Sequence, residues 1–241
     1  MIYDMHSHTN FYADESLADR KLADRGVYCL HVGVLPGDNL SLSRSNRALG
    51  LHPWYIDSSE DLLEQFIKLS GEYDYIGEVG LDFAKNRRES IDQQIYAFEK
   101  VLQHSIGAKA VSVHCYNADD ILLDMIDDAL RGRSASFPAV ILHWFSGSGL
   151  HLQRAIQLGC YFSYSERALR SAKCREYAKA VPLNKLMIES DMPSECSDGA
   201  AASDVDEQAT MLQSAEDLLC ELKNCKPQDF AATSKRVLGH N

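Results

Sequence analysis

Short runs rich in β-branched and aromatic residues alternate along the chain with segments of helical periodicity, the βαβα order of a parallel sheet. Eight strand runs are read: Ile2 to His8, Val27 to Val34, Ala48 to His52, Tyr73 to Val79, Ala110 to His114, Val140 to Trp144, Tyr161 to Tyr164 and Lys185 to Ser190. Between them Leu17 to Asp24, Asp61 to Leu69, Ser90 to Ser105, Ala118 to Leu130, Gly149 to Leu158 and Ser171 to Ala180 predict helices. In the second of these, Leu62, Leu63, Phe66 and Ile67 form an apolar stripe that would cover a sheet face. The interval Leu35 to Asn46 is rich in Gly, Pro and Ser and too short for a full helix, which predicts a reduced or missing helix there. Pro193 to Ser203 reads as a small-residue loop and Val205 to Lys223 as a closing helix. The pattern predicts an α/β fold, a (β/α)8 TIM barrel, and no repeat or linker divides it. With 241 residues, 45% of them hydrophobic, residues 1–241 are expected to form one domain around a large core.

The polar residues change that picture from fold to chemistry. A strand points alternate side chains the same way, so His6 and His8 in Asp4-Met5-His6-Ser7-His8 would project together. His52 ends the third run, Glu78 the fourth, His114 the fifth and His143 the sixth, while Asp191 follows the eighth. In a (β/α)8 barrel the chemistry sits at these C-terminal strand ends. Singly, each residue reads as a capped strand end or a surface group. Jointly, five of nine histidines and two carboxylates stranded in apolar runs would be buried polar groups without partners, unless they share a metal centre. The glycines at 77 and 80 let the backbone turn closely around Glu78, which fits a carboxylate aimed inward.

Charge and cysteines narrow the setting. A net charge of -11 argues against a basic footprint along a duplex, so a phosphate substrate must be held locally. Seven cysteines are an odd number, scattered without zinc-finger spacing, and read as reduced thiols of a cytoplasmic protein. No positive, apolar leader opens the chain and no run of 18 apolar residues occurs, so neither export nor a membrane span is expected. No obligate protein partner is evident.

Six stretches, in order, carry a family resemblance: Asp4-x-His6-x-His8, Gly50-Leu51-His52-Pro53, Ile76-Gly77-Glu78-Val79-Gly80-Leu81-Asp82, Val113-His114, His143-Trp144-Phe145-Ser146-Gly147 and Glu189-Ser190-Asp191-Met192-Pro193. The chain resembles the TatD family of metal-dependent deoxyribonucleases within the amidohydrolase superfamily. The resemblance implies a hydrolase with two divalent ions (Zn, Mg, Mn, Co or Ni), bridged by Glu78. His6, His8 and Asp191 would complete one ion's ligands, and His114 and His143 the other's. It further implies Asp191 as general base and His52, outside the ligand set, as a contact to the scissile phosphate. Two such ions about 3.5–4 Å apart activate water and stabilise the leaving oxygen of a phosphodiester.

Departures from the family pattern bear on substrate. An Arg usual after the fifth-strand histidine is missing from His114-Cys115-Tyr116-Asn117, and a basic loop usual after the eighth strand is replaced by Ser197-Asp198-Gly199-Ala200-Ala201-Ala202-Ser203. Lys85, Arg87 and Arg88 are the nearby substitutes, Arg87 and Arg88 being the candidate substrate contacts. The expected substrates are DNA ends, short oligonucleotides or small phosphoesters, cut exonucleolytically. The alternatives are a phosphoesterase of the polymerase-and-histidinol-phosphatase type, which shares the first motif; another amidohydrolase bridged by a carboxylated lysine, a role Glu78 already fills here; and an inactive metal-binding homologue.

Overall fold

A computed structural model describes residues 1–38, 46–56, 61–132, 137–193 and 204–240. Most of the Leu35 to Asn46 interval, the whole Ser197 to Ser203 stretch and the side chain of Arg88 lie outside the described residues. Among the described residues eight strands, β1 (Ile2–Ser7), β2 (Val27–Val32), β3 (Arg47–Leu51), β4 (Tyr75–Asp82), β5 (Ala110–Tyr116), β6 (Ala139–His143), β7 (Tyr161–Tyr164) and β8 (Leu186–Ile188), follow one another in sequence order as a closed barrel, and the pairs are parallel. The helices are α1 (Glu15–Asp24), α2 (Asp61–Leu69), α3 (Ile91–His104), α4 (Asp119–Arg131), α5 (Gly149–Gln157), α6 (Glu166–Leu169), α7 (Ala172–Ala180), α8 (Asp204–Lys223) and α9 (Pro227–Leu238). The (β/α)8 barrel read from the hydrophobic pattern is the observed fold.

Residue contacts divide the chain into two compact sets, one of residues 1–31, 143–145 and 161–241, the other of residues 32–142 and 146–160. The first set holds β1, β2, β7 and β8. Here α8 packs on α1, α6 and α7, and α9 on β1 and β8. Its core is built from Met5, Leu22, Leu30, Phe162, Tyr164, Leu212 and Phe230. The second set holds β3, β4, β5 and β6 with α2 to α5, and Phe66, Tyr75, Ile76, Leu81, Phe98 and Ile126 fill its core. Of the apolar stripe on α2, Phe66 is buried, with Leu62, Leu63 and Ile67 half-buried around it.

Two helices escaped the sequence reading. α6 is a single turn whose Ser165 side chain accepts from the Ala168 N–H. α9 carries ordinary boundary signals, Pro227 at its first position and Gly239 in the left-handed region at its end (φ 68). Two strands also run further than read, while β1, β2, β3, β6 and β8 stop one or two residues short of the expected ends. β4 continues to Asp82 and β5 to Tyr116, pairing Gly80 with His114, Leu81 with Cys115 and Asp82 with Tyr116. Glu78 and His114 thus stand within strands, and β4 is buried at every position while carrying two carboxylates. A parallel strand covered on both faces normally reads as an apolar run, so each buried carboxylate needs a local partner. No helix of the described residues is long and apolar enough to cross a membrane.

Candidate metal centres

In the first set of residues the ligands start from an irregularity in β1. Asp4 pairs with Cys29 and Ser7 with His31, so Met5 and His6 together face Leu30 alone. That bulge re-aims the strand at His6, as bulges do beside functional sites. His6 Nε2 lies 3.3 Å from His8 Nε2, and Asp191 Oδ1 lies 3.9 Å from the first ring and 3.5 Å from the second. Asp191 holds φ 54, a left-handed conformation that Asp tolerates better than most residues, and its N–H donates to the His6 carbonyl (3.0 Å). Burial pushes the Asp191 carboxyl up, but the His8 hydrogen bond and the His143, His6 and His8 rings outweigh it, and its pKa falls below the ordinary value.

Around this trio sits a second ring of support. His143 stacks on His6 with ring centres 3.9 Å apart, and its Nδ1 is 3.7 Å from Glu189 Oε1. Glu189 is fully buried, accepting from the Trp144 N–H (3.1 Å) and from the Ser163 hydroxyl (2.5 Å). Burial raises its pKa to about 7 against the pull of His143. Beneath the histidines, Asp4 accepts from the Ser190 hydroxyl (2.6 Å), the Ser190 N–H (2.9 Å) and Gln208 Nε2 (2.9 Å). Gln208, reaching in from α8, also donates to Ser7 and accepts from the Tyr12 hydroxyl. Glu189 and Asp4 fall inside motifs the sequence offers, but their roles depend on partners far along the chain.

In the second set the irregularity is in β4. Ile76 pairs with Val111 and Val79 with Val113, leaving Gly77 and Glu78 opposite Ser112. Gly77 (φ 147) and Gly80 (φ 143) supply conformations that side chains resist, and a Cβ on Gly80 would run into the His114 carbonyl oxygen. Glu78 Oε1 then stands 2.9 Å from His114 Nδ1 and 3.3 Å from His52 Nε2. His114 Nε2 is 3.1 Å from Asp82 Oδ2, so one imidazole is held between two carboxylates. Burial raises the Asp82 pKa, but hydrogen bonds from His114, the Trp54 indole and the Ala84 N–H prevail and bring it down to about 2. Asp82 is the residue here that the sequence reading left without a role, although it closes one of the quoted motifs.

The donor chemistry fits divalent ions. His6, His8 and Asp191 form one group whose ligand atoms lie within 4.8 Å of one another; His6, His143 and Glu189 form another, and His52, Glu78 and His114 a third. Imidazole and carboxylate together suit Zn, Mn and similar ions. The hydrogen bonds sort the histidines. His52 Nδ1 accepts from the Trp54 N–H (3.1 Å), which leaves the ring proton of the neutral tautomer on Nε2, facing Glu78 as a donor. His114 has the opposite arrangement, an outer nitrogen against Asp82 that orients the ring as outer carboxylates orient metal-ligating histidines. The structure brings His6, His8 and Asp191 together in the first set and Glu78 and His114 in the second, whereas His143, expected to share an ion with His114, stands in the first set with His6 and Glu189. It puts His52 beside Glu78 and His114, and His143 beside His6. Arg87 lies against Trp54, with its guanidinium 5.3 Å from the ring centre.

Comparison with known proteins follows the same lines. A family model described as TatD related DNase matches residues 3–238. The 3'-5' ssDNA/RNA exonuclease TatD of Salmonella typhimurium is 32% identical over 188 residues, covering 74% of this chain and 64% of that protein. The Citrobacter rodentium protein of the same name is 35% identical over 156 residues, covering 60% of this chain and 56% of the relative. The chain thus spans less than two thirds of the length of both. Among solved structures, the TatD homologue YJJV of Escherichia coli K12 aligns over 100% of this chain and 98% of its own with a TM-score of 0.74. A TatD family hydrolase of Entamoeba histolytica aligns over 98% and 97% with a TM-score of 0.73. At 20% and 15% identity these two likenesses bear on the fold.

Proposed function

Because the chain belongs to the TatD-related DNase family, we propose that it is a metal-dependent hydrolase that cleaves phosphodiester bonds at the ends of single strands or short oligonucleotides. The observation that carries the reading is the presence of two compact donor groups, His6-His8-Asp191 and His52-Glu78-His114, the second with its His114 ring oriented by Asp82. Each group would hold one divalent ion, the second through Glu78 and His114. Bound there, such ions supply positive charge that acidifies a water and stabilises a leaving oxygen. Asp191 is kept ionised by the imidazoles beside it, which suits it to accept the proton of the attacking water. His52 keeps its Nε2 proton by virtue of the Trp54 N–H bond, and can donate it to a phosphate oxygen. Arg87 offers a cation on the described loop after β4.

The substrate assignment draws on the relatives, named as 3'-5' exonucleases of single-stranded DNA and RNA, and on the net charge of -11, which disfavours long duplexes. A cytoplasmic setting, read from the scattered thiols, belongs to the same proposal. The test is metal analysis of the purified protein, followed by turnover of 3'- and 5'-labelled single strands, duplexes and small phosphoesters with Mg, Mn, Zn, Co or Ni. Mononucleotides released from one end of a single strand, only with metal, are expected. Turnover confined to small phosphomonoesters would overturn the nuclease reading in favour of a phosphatase.

A further inference from the structure

Trp54 is among the exposed large hydrophobic side chains of the described residues, 45% accessible, and it borders the His52-Glu78-His114 group. An indole left in water needs a reason, since Trp is highly buried on average. Resting on the nuclease reading, we propose that Trp54 is a stacking platform for the terminal base of a single strand, with Arg87 beside it meeting the adjoining phosphate.

The geometry favours a fixed platform over a mobile side chain. The indole Nε1–H donates to Asp82 Oδ2 at 2.6 Å, and Asp82 is itself buried and held by the Ala84 N–H (2.9 Å) and by His114 (3.1 Å). The backbone is fixed independently: Pro53 opens a 3-10 turn, and the Trp54 N–H is taken by His52 Nδ1. The ring meets His52 edge-on at 4.9 Å and His114 at 6.4 Å, which places it directly beside the second donor group. Arg87 donates to the Trp54 carbonyl oxygen at 3.2 Å and covers part of one face, and the base takes the exposed remainder. A pre-ordered aromatic surface beside a cation is how proteins grip single strands regardless of sequence, since every base has a π-face. It also answers a need of this chain: with the family's two basic features missing, stacking supplies grip that does not depend on cations.

The test is binding of a fluorescently labelled single strand to Asp191→Asn protein, with an intact or an abasic nucleotide at the end that is attacked. Trp54→Ala is expected to weaken binding of the intact strand by about tenfold or more, the size of one base stacked on an aromatic ring. Trp54→Phe should retain most of the affinity, although it loses the Asp82 hydrogen bond as completely as alanine does. On the abasic strand the wild-type and alanine side chains should bind alike. An equal loss on both strands, or no rescue by Phe, overturns the proposal and makes Trp54 a packing residue. Failure of the nuclease reading looks different: strands bind with the Trp54 dependence intact, but the protein with Asp191 restored does not cleave them under any metal.

Discussion

The two donor groups are built alike and finished differently. Each sits on a strand with one extra residue slipped in ahead of the key ligand, Met5-His6 in β1 and Gly77-Glu78 in β4. In β1 the bulge is made by ordinary residues and secured from below by a closed polar network of Asp4, Ser190, Ser7 and Gln208. In β4 it depends on glycines with positive φ, on close backbone approach and on backbone hydrogen bonds that tie Gly77 and Glu78 to Gly33. The finish differs: Glu189 backs the first group through His143, whereas the second, backed by the buried Asp82 behind His114, opens beside an exposed indole. The first is organised to hold charge tightly, the second to border whatever approaches from solvent.

Removing the carboxylate of the second group should have the largest effect. Glu78→Gln is expected to lose the ion of its group and all measurable turnover, because a neutral amide no longer balances a divalent charge placed beside two imidazoles. Metal stoichiometry measured beside the rate reads this out. Loss of both ions would extend Glu78 to the shared role that the family resemblance implies; retention of both ions with full turnover would remove it from the centre. In the first group, Asp191→Asn should lower kcat by about 10²–10⁴-fold with a far smaller change in KM, since a lost proton acceptor acts on the transition state. A change confined to KM would make Asp191 a substrate contact.

Structural rather than chemical dependence separates the groups next. Gly80→Ala should cost about 2–4 kcal/mol, combining a strained positive φ with a clash against the His114 carbonyl, and should be seen as a lower melting temperature with weakened metal binding. No glycine takes part in the β1 bulge, so the first group has no equivalent point of failure. A melting temperature within about a degree of wild type would show that β4 relaxes more freely than its packing suggests.

That contrast also bears on what could be read in advance. Ligand identities were legible because a buried strand rarely carries a His or a carboxylate unless something binds it there, and because six short motifs fell at strand ends in order. The barrel was legible for the same reason in the apolar direction. The β1 bulge was not: it exists only as a mismatch of register between neighbouring strands, and His6 looks the same in sequence with or without it, whereas in β4 Gly77 and Gly80 marked a close turn at Glu78 without giving the register shift. Asp82 and Gln208 were missed because their partners, His114 and Asp4, lie 32 and 204 residues away. α9 was missed although Pro227 and Gly239 mark both of its ends, since its apolar residues, Phe230, Val237 and Leu238, are too few for a clear stripe.

The smallest effect, and the one that distinguishes the two supports most cleanly, is in their response to acid. Asp4 is pushed up from an ordinary 3.8 to about 6 by burial, against the opposing hydrogen bonds from Ser190, Gln208 and His6. The folded protein then binds more protons than the unfolded chain between those values, so the Asp4 contribution to stability falls as pH rises from about 4 to 6 and is level above. Asp82 is brought down from 3.8 to about 2, so it stabilises the fold fully above about pH 4 and the benefit is lost as pH falls toward 2. Melting metal-free wild type, Asp4→Asn and Asp82→Asn across pH 3 to 7 isolates each group by difference. Relative to Asp4→Asn, wild type should lose a few degrees as pH climbs through 4 to 6. Relative to Asp82→Asn it should lose stability in the other direction, as pH drops below 4. Differences of the same sign would mean that the Asp4 network stabilises its carboxylate as a charged group, and that the first donor group rests on an ion rather than on a neutral, hydrogen-bonded acid.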